Sequence, residues 1–374
     1  MQLIHVGLGN WGLDWEANAL PPVRDDIERV AIVDAHEPTL ARAQEKLKLP
    51  DAMCFADLNA AFAATDAELV LITAPMIAHV PLAIQAMEAG KHVLVEKPFA
   101  GTLAEAQEAV AVAERTDKTL MVSQNYRFYP APRTVAKIVA EGGMGEPGSV
   151  HVDFRRWAND AEYEKSRHYQ FPHPLLFDMA IHQYDLMRMV LGQEPVEVYA
   201  RDMSPSWSKF DEESEALLIV TFANGQILSY RGSWVSSGEP THWAGEWRME
   251  FSEGELSWTS RAGADDAASG DRVTARHRGK KPVKLPLVEL PLLGRSMGLK
   301  QLVDSIDAGV EPESSGRQNL GTVALMEAAV RSAESGQAEK VGWWIDSHLR
   351  MQRHNGLRNG RYVGSRTPKG VRPS

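Results

Sequence analysis

The stretch LIHVGLGNWG, residues 3–12, decides the fold. A short apolar run from Leu3 to Val6 ends in glycines at positions 7, 9 and 12, and a helical pattern follows. Glycine belongs where a chain must turn tightly, bring backbone against a pyrophosphate and let a helix approach a sheet. The amides at the helix start then meet negative charge. Gly-rich turns are common, so the context matters. Asp34 stands 22 residues beyond Gly12, at the end of the next apolar run, 29–33. A carboxylate there can accept from both ribose hydroxyls of an adenosine, and it repels a 2′-phosphate. No Arg or Lys occupies 35–40 to soften that repulsion, so NAD is expected as cofactor and NADP disfavoured. Gly7, Gly9, Asn10, Trp11, Gly12 and Asp34 are the first cofactor-binding candidates.

Outward from this stretch, two periods alternate. NWGLDWEANALPP reads as a helix closed by Pro21 and Pro22, and 38–47 as another. Apolar runs at 68–74, 92–95 and 119–123 are separated by helical stretches at 79–89 and 103–116. Short apolar runs between helices are what parallel strands covered on both faces look like. Residues 1–125 are therefore expected to form a doubly wound α/β domain that binds the dinucleotide.

After Asn125 the pattern changes. A helix is expected at 130–142, and 149–157 alternates like a half-exposed strand. A helix at 175–191 precedes strands at 197–201, 216–222, 226–234, 246–251 and 255–259, with an Asn-Gly pair at 224–225 suited to a tight hairpin. Residues 260–284 are polar and read as a surface excursion. Helices at 294–307 and 319–335 are long enough to pack back on either domain. These features predict an α+β domain over 126–345, built on an open, mostly antiparallel sheet and serving substrate binding and oligomerisation. A basic tail follows at 346–374, with seven basic and no acidic residues from Arg350 onward. It reads as a solvated tail or as an arm laid on a partner subunit.

Forty basic against fifty acidic residues give a net charge of −10, which disfavours nucleic acid and acidic membrane surfaces as partners. The single cysteine, Cys54, excludes a disulfide framework and a Cys-rich zinc site, so no metal is expected and a reducing compartment is. The N-terminus lacks a basic region ahead of a long apolar stretch, and no window approaches a membrane span. A soluble, cytoplasmic protein is the expectation.

Two further stretches carry chemistry. HVLVEKPF, residues 92–99, delivers Glu96 and Lys97 at the carboxyl end of a strand, and Pro98 holds Lys97 out of the helical region. Charged groups at that edge of an open parallel sheet stand over the ligand crevice, where a lysine can donate to a substrate hydroxyl oxygen. LLFDMAIHQYDLMRMV, residues 175–190, places Asp178 and His182 four apart on one helical face, with Asp185 three further on. A histidine beside a carboxylate has the range for proton transfer near neutral pH. Taken singly, each pair reads equally as a solvated ion pair.

These signals in this order, with NYRF at 125–128, closely resemble the glucose-fructose oxidoreductase, inositol dehydrogenase and rhizopine-catabolism family (Gfo/Idh/MocA). The resemblance covers about residues 2–340 and rests on the glycine motif, Asp34, Glu96-Lys97-Pro98, Asn125, Arg127, Asp178 and His182. It implies a Rossmann-type domain followed by a domain whose open sheet forms the subunit interface of a dimer or tetramer. It further implies a nicotinamide cofactor and a sugar, polyol or sugar-derivative substrate. Thr73-Ala74-Pro75, with His79, matches the segment that passes the nicotinamide half of the cofactor. Met76 departs from it, since many members have Asn there. The resemblance places Lys97 and His182 around the reacting carbinol, with Asp178 oriented toward the same site.

The chemistry these residues support is alcohol oxidation or its reverse: His182 as base, Asp178 orienting it and Lys97 polarising the oxygen, with the reverse assignment open. The candidate cofactor contacts thus extend to Thr73, Pro75, His79, Glu96, Lys97 and Asn125. For substrate, 155–173 brings Arg156, Trp157, His168 and Tyr169 ahead of the Asp178 helix, Arg127 joins them, and His242 and Trp243 follow later. Ten tryptophans suit stacking on sugar rings, or core and interface packing. Two alternatives keep the cofactor without net oxidation: a glycoside-cleaving enzyme that recycles NAD, and a silent regulatory protein.

Overall fold

Strands that are apolar on both faces pair in parallel and need cover on each side. The computed structural model describes residues 1–263, 268 and 270–342. The tail expected at 346–374 lies outside the described residues. Six parallel strands, β1 (Gln2–Val6), β2 (Glu28–Val33), β3 (Cys54–Phe55), β4 (Leu69–Ile72), β5 (His92–Val95) and β6 (Leu120–Val122), lie in the order 3-2-1-4-5-6. The strand order reverses between β1 and β4, which opens a crevice at their carboxyl ends.

Alternate residues of these strands feed two separate apolar layers. Ile4, Val6, Val70, Ile72, Val93 and Val95 point into one, and Leu3, Leu69, Leu71, Leu94 and Met121 into the other. Helices α2 (Glu37–Leu47), α3 (Leu58–Ala64), α4 (His79–Glu88) and α5 (Leu103–Thr116) connect the strands. Thr102 and Glu105 close a reciprocal cap at the start of α5. Helix α1 (Asn10–Asp14) is shorter than expected: the chain widens into a π turn at Trp15–Ala19 and finishes in a 3₁₀ turn at Pro21–Val23. The π turn buries Trp15, and the 3₁₀ turn Val23, in the second layer.

The second sheet has nine strands: β7 (Pro147–Arg155), β8 (Pro195–Met203), β9 (Glu215–Phe222), β10 (Ile227–Ser233), β11 (Glu246–Phe251), β12 (Gly254–Thr259), β13 (Arg272–His277), β14 (Val283–Lys284) and β15 (Glu339–Lys340). Their order is 14-13-12-11-7-10-9-8-15, antiparallel except where β7 meets β10. Within the segment expected as a surface excursion, 260–284, the stretch Arg272–His277 is thus a sheet strand. Val273 and Ala275 of β13 are buried, and their alternation was hidden by small size and by charged neighbours.

Helices α6 (Pro130–Ala140), α7 (Ala180–Leu191) and α9 (Gly316–Ser335) bury one face of this sheet. On the other face Tyr199, Leu217, Ile219 and Ile227 are exposed; the register pairs Tyr199 with Ile219, and sets Leu217 and Ile227 one same-face step from Ile219. Helix α8 (Gly294–Ala308) returns to the first sheet, where Leu299, Leu302 and Val303 complete the second apolar layer. Glu327 of α9 accepts from the Leu103 amide at the start of α5 (2.7 Å), which fixes one half of the molecule against the other. Among the described residues no helix is long and apolar enough to cross a membrane.

Candidate active site

The carboxyl ends of the first sheet open onto a cavity of about 960 Å³, whose opposite wall comes from the second half of the chain. Gly7, Gly9, Asn10, Trp11 and Asp34 line one end of it. Gly7 has φ +91°, and a Cβ there would sit 2.3 Å from the Ala74 amide nitrogen. One on Gly12 would sit 2.0 Å from the Gly7 carbonyl oxygen, so Gly12 serves packing and does not face the cavity. A Cβ on Gly9 would meet nothing within 4 Å. That open ground beside the loop is where a dinucleotide's phosphates fit. Asp34 is fixed at the rim by the amides of Leu8 (2.8 Å) and His36 (2.9 Å). Its two oxygens retain lone pairs for ribose hydroxyls. The donors and the cradle therefore suit a nicotinamide dinucleotide.

Thr73, Pro75, His79, Glu96 and Asn125 also line the cavity, but several turn their polar atoms inward. The Thr73 hydroxyl donates to the Gly7 carbonyl at 2.5 Å and lies 2.9 Å from His5 Nε2. His5 Nδ1 lies 2.8 Å from Glu16, which also pairs with Arg29. The His79 ring nitrogens each lie 2.8 Å from a carbonyl, those of Pro98 and Ala74, and burial pushes its pKa down. Glu96 accepts from Trp15 Nε1 (2.8 Å) and from the Lys97 amide (3.0 Å). These residues shape the wall, and the cofactor would meet Asn10, Trp11 and the loop backbone more directly.

At the other end Lys97, Asp178 and His182 come together. Lys97 Nζ donates to Asp178 Oδ1 (2.8 Å) and to its carbonyl (3.0 Å), and His168 Nε2 lies 3.3 Å from Oδ2. Burial works against the lysine's charge, but Asp178 outweighs it and lifts the Lys97 pKa above its usual value. Burial likewise opposes the Asp178 charge, and Lys97 with His168 holds that carboxyl well below its ordinary range. Burial and the charges of Lys97 and Arg261 push His182 well below the usual imidazole value. The site therefore holds an ammonium, a carboxylate and a neutral imidazole.

Asp178 turns to Lys97 and His168, and among the described residues the His182 Nδ1 has no hydrogen-bond partner. The orienting contact expected between Asp178 and His182 is thus not formed. The reason is local. Residues Pro174–Met179 form a π turn, with the Ala180 amide bonded to the Leu175 carbonyl, so a four-residue step there does not repeat one face. Tyr126 orients His182 instead, its ring stacked at 3.8 Å and 6°.

Several substrate candidates lie away from the cavity. The Arg127 guanidinium is buried in a two-pronged pair with Asp185 (2.6 and 2.7 Å), so neither residue faces the cleft. Tyr169 is fully buried, and Trp157 is half-exposed with its indole N–H on Asp160. Arg156 does not line the cavity but lies 4.2 Å over the ring of Trp243, which does. His168 does not line the cavity itself but touches two residues that do, Asp178 (3.3 Å) and, edge-on, Trp234 (ring centres 4.9 Å apart). Phe171, Trp234, Trp243 and Arg261 complete the wall. Of these only Trp243 was singled out in the sequence; Arg261 sits in the segment read as a polar excursion, and nothing in its neighbours marks it. Among the described residues no group of three or more His, Cys, Asp or Glu is placed to hold a metal.

The fold and this cavity define an oxidoreductase that binds a dinucleotide, and comparison with known proteins agrees. Residues 2–124 match the oxidoreductase family with an NAD-binding Rossmann fold, and residues 133–257 match the GFO/IDH/MocA C-terminal domain. The chain belongs to the Gfo/Idh/MocA family of NAD-binding oxidoreductases. It is 27% identical to an uncharacterized protein of Sinorhizobium fredii, over 93% of this chain and 97% of that one. It is 28% identical to D-apiose dehydrogenase of Paraburkholderia graminis, over 85% and 84% respectively. The structure of the aldose-aldose oxidoreductase of Caulobacter crescentus, complexed with glycerol, superposes with a TM-score of 0.78 at 21% identity, covering 91% of this chain and 99% of that one.

Proposed function

We propose an NAD-dependent dehydrogenase that acts on a secondary hydroxyl of a sugar, polyol or sugar derivative. The observation that carries this reading is a single cavity with a glycine cradle and an anchored Asp34 at one end and Lys97, Asp178 and His182 at the other. The D-apiose dehydrogenase relative supports the substrate class. Bound nicotinamide supplies the hydride acceptor or donor. His182, neutral in its buried stack, takes the hydroxyl proton, and Lys97, kept charged by Asp178, stabilises the developing alkoxide. Trp234 and Trp243 offer apolar faces for a sugar ring.

Asp34 and the absence of Arg or Lys at 35–40 favour NAD over NADP. In this reading 1–125 carries the cofactor, 126–345 carries substrate binding and assembly as a dimer or tetramer, and the protein works in the cytoplasm. A cofactor-coupled screen of sugars and polyols, followed by absorbance of the reduced nicotinamide, tests it. Turnover with NAD at least about tenfold more efficient than with NADP is expected. No turnover across the panel, or a preference for NADP, overturns the respective part.

A further inference from the structure

Tyr126 and Arg261 reach His182 from two other parts of the chain. Tyr126 lies in the 3₁₀ turn Asn125–Phe128 after β6, with its ring in parallel contact with the imidazole. The Arg261 guanidinium lies 4.2 Å from the centre of the same phenol ring. A stacked imidazole leaves no room for a guanidinium on its own side, so the order is Arg261, Tyr126, His182. All three line the cavity.

The position of Arg261 is built rather than incidental. Its φ is +63°, a left-handed backbone state that is costly for a residue with a side chain. Asp271 holds it there. One carboxylate oxygen accepts from the Arg261 amide (3.1 Å) and the Ser260 hydroxyl (2.7 Å), and the other accepts from the Ala131 amide at the start of α6 (2.9 Å). Strain held by tertiary bonds beside an active site points to function.

Resting on the dehydrogenase reading, we propose that Arg261 is a positioning residue of the reaction, orienting the His182 imidazole through the face of Tyr126 and setting its readiness to accept a proton. The charged groups around His182 are Lys97, Asp178 and, across the Tyr126 ring, Arg261, with the Tyr126 phenol in direct contact. Burial and both cations disfavour the imidazolium, and Asp178 alone favours it. Removing one cation makes protonation easier, so the acidic limb of the rate moves to higher pH.

Two titrations test this. The first follows kcat/KM against pH for wild type, Arg261→Met, Arg261→Lys and Tyr126→Leu with a substrate from the screen. The second follows the His182 ring by NMR without substrate. Arg261→Met should raise both midpoints by about one pH unit, whereas Arg261→Lys, which keeps the charge, should leave them near wild type. Tyr126→Leu should lower kcat about tenfold or more with little change in KM. An unchanged midpoint in a natively folded Arg261→Met overturns the proposal. Should that variant not fold, unchanged kcat in Tyr126→Leu does so. If wild type turns over no sugar, the dehydrogenase reading fails, while the NMR titration still decides whether Arg261 acts on His182.

Discussion

At the scale of single residues, the pairing of Lys97 with Asp178 separates two jobs that the sequence leaves tangled. A lysine whose charge is sustained by a carboxylate at 2.8 Å is a poor base and a good hydrogen-bond donor to an alkoxide. Lys97→Ala should therefore lower turnover about a hundredfold or more while the NAD dissociation constant, read by fluorescence, stays within about threefold. Asp178→Asn removes the group that offsets burial of the ammonium, so Lys97 should lose its proton at lower pH. The alkaline limb of kcat should then move down, and a limb that stays in place would show that Asp178 does not set the lysine's charge.

At the scale of elements, the glycine motif does two kinds of work that a shared residue type conceals. Gly12→Ala would drive a methyl into the Gly7 carbonyl and should lower the melting temperature, whereas Gly9→Ala meets no protein atom and should melt like wild type. Gly9→Ala should still weaken NAD binding about tenfold or more, because the ground it fills belongs to the ligand. Calorimetry on both variants separates these cases, and equal loss of stability would refute the distinction.

The same scale shows what was legible in the sequence. Strands with runs such as LVLI and HVLV, and the helix at 103–116, were readable because local pattern and tertiary role coincide. The π turns at Trp15–Ala19 and Pro174–Met179 were not, since their composition is that of ordinary helix. Only packing widens the chain there. That hidden turn is why Lys97, Asp178 and His182 were found as a group while the contact within the group was misassigned. The family resemblance drew Arg127 toward the cleft and helical spacing drew Asp185, yet neither says whether a partner waits in the interior, where the two pair with each other.

At the scale of the whole molecule, the face of the second sheet that carries Tyr199, Leu217, Ile219 and Ile227 lacks a helix layer among the described residues. Apolar side chains held side by side on a sheet favour burial against another copy. Light scattering at micromolar concentration should report a dimer or larger, and the double substitution Leu217→Lys with Ile219→Lys should shift it toward the monomer mass. A wild type that scatters at about 41 kDa would remove this face from consideration.

The return of α8 to the first sheet also orders events in time. A ribosome releases Gln2–Val122 first, yet the layer holding Leu3, Leu69, Leu71 and Met121 receives Leu299, Leu302 and Val303 only when the far end of the chain emerges. At roughly 5–20 residues per second, that delay is on the order of ten seconds or more. During it the nucleotide half is a sheet with one oily side covered only in part, by Trp15, Leu20 and Val23, the kind of surface on which nascent chains stick to one another or to a chaperone. A transcript cut short before α8 would thus encode every cofactor-loop glycine and both sheets apart from β15, but leave the layer beneath the loop without Leu299, Leu302 and Val303.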